Sequence, residues 1–226
     1  APGRDREEHK ERERDDALEG LARYCSREAA AAEAGLVGPE QIEWLDRVRD
    51  DSHNYRLAIA WLIEQHRSAE AAEITWRLMF FWLIRGHAAE GFRWYQTILN
   101  LPDLPPAAES RMLAGAAVMA HTRGDLEQAR AAASRALTIA REAGETTVVV
   151  HAQHVLGHIE QAGGNADQAN VLLAASFDGF TAAGLPFKVL DEHVETVSGH
   201  GSIGTMHLAK GLEFRAVAVM ACDDEV

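Results

Sequence analysis

The chain reads as mainly α: an array of antiparallel helix pairs followed by a short C-terminal α/β segment. Three observations predict this. Apolar residues recur at helical spacing from Asp16 to about Ala183. Glycine turns at Gly86, Gly124 and Gly164 are separated by 124 − 86 = 38 and 164 − 124 = 40 residues, close to the period of stacked helix-turn-helix repeats. After Gly184 the helical period stops and short β-capable runs replace it. The organisation expected is a charged segment over 1–15, a helical-repeat domain over 16–183 and a distinct C-terminal segment over 184–226.

Each element has its own local reason. The run Arg4 to Asp16 mixes Glu, Asp, Arg and Lys one helical turn apart, the pattern of a solvated or frayed helix. Leu18, Leu21, Ala22 and Cys25 then form an apolar stripe. Gly35 and Gly38-Pro39 break that helix, and Pro39-Glu40 opens the next, whose apolar side is Ile42, Trp44, Leu45 and Val48. Asp51 or Ser52 is the expected N-cap of a helix carrying Tyr55, Ile59, Trp61, Leu62 and Ile63, and Ser68 that of one carrying Trp76 to Phe81. Trp44, Trp61, Trp76, Trp82 and Trp94 at these spacings read as core between helix pairs.

At the recurring turns, glycine ends one helix in the left-handed conformation. A small residue five positions on, Gly91, Ala129 or Ala169, lets the second helix approach the first closely.

Composition narrows the function classes. Of 226 residues 47% are hydrophobic and 25% charged, with a mean hydropathy of -0.20, the profile of a soluble globular protein. The net charge of -13 repels phosphate backbones and disfavours a stand-alone nucleic-acid binder. Cys25 and Cys222 stand nearly a chain length apart, so no disulfide framework or cysteine zinc site is predicted. With no membrane-spanning run and a charged beginning, the expected location is cytoplasmic. Both ends read as cut from a longer chain.

His151, His154 and His158 fall at i, i+3 and i+7 of one helix, a shared face whose geometry permits a divalent metal to bridge two of them. Without a carboxylate or cysteine partner, they read as exposed or groove-lining histidines, and no metal site is assigned. No Ser-His-Asp or Cys-His set and no phosphate loop occurs, so no catalytic residue is assigned and autonomous ATP hydrolysis is not expected.

Two family resemblances follow from particular residues. Arg123-Gly124-Asp125-Leu126-Glu127-Gln128-Ala129-Arg130, continuing to Ala140, is similar to the second half of a tetratricopeptide repeat. Gly38-Pro39-Glu40-Gln41 with Trp44-Leu45-Asp46-Arg47, His53-Asn54-Tyr55-Arg56 with Trp61, and Phe81-Trp82 with Arg85-Gly86-His87, Glu90-Gly91 and Trp94 resemble the helical arm of LuxR-type signalling ATPase regulators. That resemblance covers about residues 17–184. It implies a tetratricopeptide-like α-solenoid of antiparallel helix pairs, a regulatory interaction module in transcriptional signalling. Its partner would be a protein or peptide on the concave face, and the isolated chain would need no cofactor.

In the last segment, Thr205-x-His207-x-x-Lys210-Gly211-Leu212-Glu213 resembles motif V in the second RecA-like domain of UvrD/Rep-type helicases. The resemblance implies a partial RecA-like fold, with Thr205 and His207 at the single-stranded DNA backbone and Lys210, Gly211 and Glu213 at the nucleotide. ATP and magnesium would serve a complete helicase, whose magnesium-holding and phosphate-loop motifs this chain lacks.

Overall fold

The computed structural model describes residues 2–183, 187–189 and 201–203. Helices α1 (Pro2–Gly35), α2 (Gln41–Asp50), α3 (Ser52–Glu64), α4 (Ser68–Arg77), α5 (Met79–Ile84) and α6 (Ala88–Leu99) form the first half. They are followed by α7 (Pro106–Thr122), α8 (Leu126–Ala143), α9 (Thr146–Ala162) and α10 (Ala166–Ala182). The mainly α class predicted above is what these residues show. Two three-residue strands, β1 (Phe187–Val189) and β2 (Gly201–Ile203), pair in parallel with Phe187 opposite Gly201.

Packing is local in chain order. α6 packs on α7, α7 on α8, α8 on α9 and α9 on α10, while α1 packs on α3 and α4, α4 on α7 and α7 on α9. The substantial helix contacts join elements no more than three apart, so each helix is buried by its near neighbours. α1 runs unbroken through residue 16; the residues from His9 to Ala17 are exposed, and His9 meets Glu13 one turn on at 3.2 Å.

One turn recurs through the array. Gly86, Gly124, Gly144 and Gly164 all have φ between +73° and +78°, and His66 occupies the same left-handed region at φ +57°. In each case the following residue donates its amide to a carbonyl five positions back: Arg67 to Leu62, His87 to Trp82, Asp125 to Ala120, Glu145 to Ala140 and Asn165 to Glu160. This is the Schellman closure of a helix, which satisfies a carbonyl that the helix end leaves free. The expected left-handed glycines are therefore present at Gly86, Gly124 and Gly164. Gly144 and His66 extend the series.

The small residues five positions on are also packed as expected. Ala129 and Ala169 are buried, and a Cβ on Gly91 would lie 3.0 Å from the Trp82 ring. Further close approaches occur inside helices. A Cβ on Gly115 would come within 2.3 Å of the Tyr95 ring, and one on Gly179 within 2.3 Å of Val150.

Three expected caps work differently. Asp51 stands at the N-cap of α3 but makes no side-chain cap bond. Its carboxylate instead accepts the Tyr24 hydroxyl at 2.8 Å and the Asn54 amide at 2.9 Å, tying α1 to α3. The bond to Asp51, aided by desolvation, pushes the Tyr24 phenol up to about 12. Ser68 is buried as the first residue of α4, with Arg67 at the cap position. Pro39 and Glu40 lie in the turn before α2 and not in its first turn, the helix starting at Gln41 with Glu40 at the cap position. Of the tryptophans, Trp61, Trp76 and Trp82 are buried core and Trp44 and Trp94 are half-buried against it.

Candidate functional site

Three side-chain constellations stand out among the described residues. The first is a cluster of imidazoles and aromatic rings where α7, α9 and α10 meet. His151, His154 and His158 share one face of α9, as their spacing requires. His121 of α7 stands 5.8 Å from the His158 ring, and His154 lies edge-on to His158 at 4.6 Å between centroids. His151 is enclosed by Trp76, Phe80 and Phe180 at 5.5, 5.9 and 5.1 Å.

These histidines are not the exposed or groove-lining residues expected from sequence. His121, His151 and His154 are buried and only His158 is half-buried, because the face they share turns toward α7 and α10 and away from solvent. Burial disfavours the charged ring and lowers all four from the ordinary value of 6.5, His151 to about 4 and His154 to about 3. The other imidazoles add repulsion at His154. Among the described residues, no group of three His, Cys, Asp or Glu side chains is arranged to hold a metal ion.

The second constellation is an ion-pair chain crossing four helices. Arg77 of α4 approaches Glu33 of α1 at 3.4 Å and Glu73 of its own helix at 2.7 Å. Glu73 also meets Arg111 of α7, whose guanidinium reaches Glu145 at the start of α9 at 3.0 Å. Arg111 thus joins three helices. Its side chain and those of Glu73 and Glu145 retain less than a third of their exposure, so screening by water is partial.

Third, a crevice of about 280 Å³ opens between α1, α3 and α4. Its floor is Ala22, Leu62 and Ile74, and its polar wall is Arg23, Ser26, Arg27 and Glu70. An apolar floor with a few charged groups at the rim suits a side chain or a short peptide segment.

The residues carrying the helicase-like motif, Thr205, His207, Lys210, Gly211 and Glu213, lie outside the described residues. The nearest described elements are β1 and β2, and β1 touches α10. No described helix is long and apolar enough to cross a membrane.

Compared with known proteins, the chain matches no family model, no curated protein and no solved structure.

Proposed function

We propose that this chain is the protein-interaction arm of a signalling regulator, a tetratricopeptide-like α-solenoid that holds a protein or peptide partner on a concave face. The observation that carries this reading is the single left-handed turn repeated at His66, Gly86, Gly124, Gly144 and Gly164. A chain built from one repeated hairpin, each burying its neighbour, presents an extended surface instead of an enclosed pocket, and repeat arrays use such surfaces for binding. The resemblance of residues 17–184 to LuxR-type regulators supports a regulatory setting, and the crevice beside Arg23 and Arg27 supplies a place for a partner side chain.

The test has two parts. A chain ending at Ala183 is expected to keep its helical circular dichroism and cooperative melting; loss of the fold would overturn the array as an independent module. Panning a displayed peptide library against the full chain is expected to return ligands whose binding is weakened by Arg27→Glu. A library yielding no ligand sensitive to that variant counts against the crevice.

A second reading takes the chain as part of a UvrD/Rep-type DNA-dependent ATPase. It rests on Thr205 to Glu213, and the parallel pairing of β1 with β2 favours it, since RecA-like sheets are built from parallel strands. Binding of ATP or single-stranded DNA at low salt by the full chain, abolished by Thr205→Ala and Glu213→Ala, would establish it.

A further inference from the structure

The imidazole cluster takes no part in the proposed partner binding, and its placement gives it a task of its own. α10 packs on α9 and touches β1, and makes no comparable contact with another helix. Its grip on α9 includes the buried ring of His154, which faces Phe180 and Phe177 at 5.7 and 6.4 Å. The Nδ1 of His154 lies 3.5 Å from the Ser176 hydroxyl, whose own proton is donated to the Leu173 carbonyl at 2.8 Å. His151 adds its contact with Phe180.

Among the described residues, the groups facing these rings offer a proton no compensating charge, and only the Gln161 side chain, hydrogen-bonded to His158, favours its charged form. From α4 and α5 come Trp76 and Phe80, from α7 His121, and from α10 Ser176, Phe177 and Phe180. The charges that act on His154 are those of His158, His151 and His121, all of the same sign when protonated. Charged side chains on the surrounding helices are engaged elsewhere. Glu73, Arg77 and Arg111 pair with one another and with Glu33 and Glu145; Arg123 stacks over Phe92; Glu160 pairs with Arg130 and Asn165. Asp178 on α10 is exposed.

We propose that α10 is an acid-released flap: protonation of His154 and His158 drives α10 off α9 while α1 to α7 remain folded, uncovering the face that carries Phe177 and Phe180. A helix that, among the described residues, is held mainly by one neighbour opens locally at a lower cost than the array unfolds. A charge placed in its apolar seam lowers that cost further. The proposal rests on the α9–α10 geometry and stands or falls independently of the partner-binding reading.

The experiment is hydrogen exchange of the full chain followed by mass spectrometry, corrected for intrinsic rates, at pH about 7 and about 5, the range over which a histidine freed from burial by the opening of α10 takes up its proton. Protection of α10 amides is expected to fall at least about tenfold more than that of α3 and α4 amides. His154→Leu, or His158→Gln should the leucine variant lose its fold, is expected to remove most of that difference. Parallel loss of protection in α10 and in α3 and α4 overturns the proposal, as does an undiminished difference in the folded variant.

Discussion

The ring of Tyr95 lies against the backbone of Gly115, so close that a Cβ at residue 115 would sit 2.3 Å from its Cζ atom. Tyr95 is fully buried, with its hydroxyl 3.4 Å from the Thr75 carbonyl. Gly115→Ala is therefore expected to destabilise the protein by about 2–3 kcal/mol through overpacking. Gly20 of α1 is the control: nothing lies within 4 Å of its added Cβ. There the same substitution is expected to stabilise by about 0.5–1 kcal/mol, since alanine orders a helix at lower entropic cost. Urea unfolding of both variants decides it, and effects of the same sign would refute the packing argument.

His66 adopts a backbone conformation that costs an L-residue roughly 1–2 kcal/mol and glycine little. Its place in the turn series is filled elsewhere by Gly86, Gly124, Gly144 and Gly164. His66→Gly is expected to raise stability by about 0.5–1 kcal/mol after the greater entropy of the unfolded glycine chain is deducted. A lowered melting midpoint would show that the imidazole supports the turn in a way its backbone does not reveal.

Removing Arg111 leaves Glu73 and Glu145 without their shared cation. Arg111→Ala is expected to cost about 1–2 kcal/mol, above the value of an exposed pair because these groups are partly buried. Arg111→Lys should recover only part, having no planar fork to reach both Glu145 oxygens and Glu73 together. Chemical unfolding at low and high salt measures both terms; a loss under about 0.5 kcal/mol places the ion-pair chain with ordinary surface pairs.

The buried histidines also fix the sign of the acid response. Below their ordinary value of 6.5 the unfolded chain binds protons that folded His151 and His154 refuse until about 4 and about 3. The unfolded state thus holds more protons across that window, and stability falls as pH falls. It is fully present above about 6.5 and lost progressively down to about 4 for His151 and about 3 for His154. At one unit below 6.5 each ring costs about 1.4 kcal/mol. His151→Phe, in a site already lined by Trp76, Phe80 and Phe180, is expected to remove about half of that two-residue slope. Denaturant midpoints at several pH values test this, and a slope unchanged in His151→Phe excludes His151 as a source.

The helices and three of the five Schellman turns were legible in the sequence because both depend on local rules, the 3.6-residue period and the need for glycine at positive φ. The turn at His66 was hidden by its side chain, since only tertiary packing reveals a residue held against its own preference. The caps failed for a related reason. Asp51 is a good cap in isolation, but Tyr24, 27 residues away, offers its carboxylate a hydroxyl that no local pattern discloses. The shared face of His151, His154 and His158 followed from spacing alone. Whether that face meets water or another helix depends on where α7 and α10 lie, so its burial could not be read from α9.

The recurring Schellman turn has a consequence for how such a chain can change in length. In an array of antiparallel helix pairs, the arrangement proposed above, each turn reverses the direction of travel, so deleting a single helix would invert every element downstream and set its apolar face toward the wrong neighbour. Deleting or duplicating two helices together preserves direction and facing alike. Under that arrangement, changes in the size of this protein would follow a parity rule: whole hairpins tolerated as inserts, half-hairpins not.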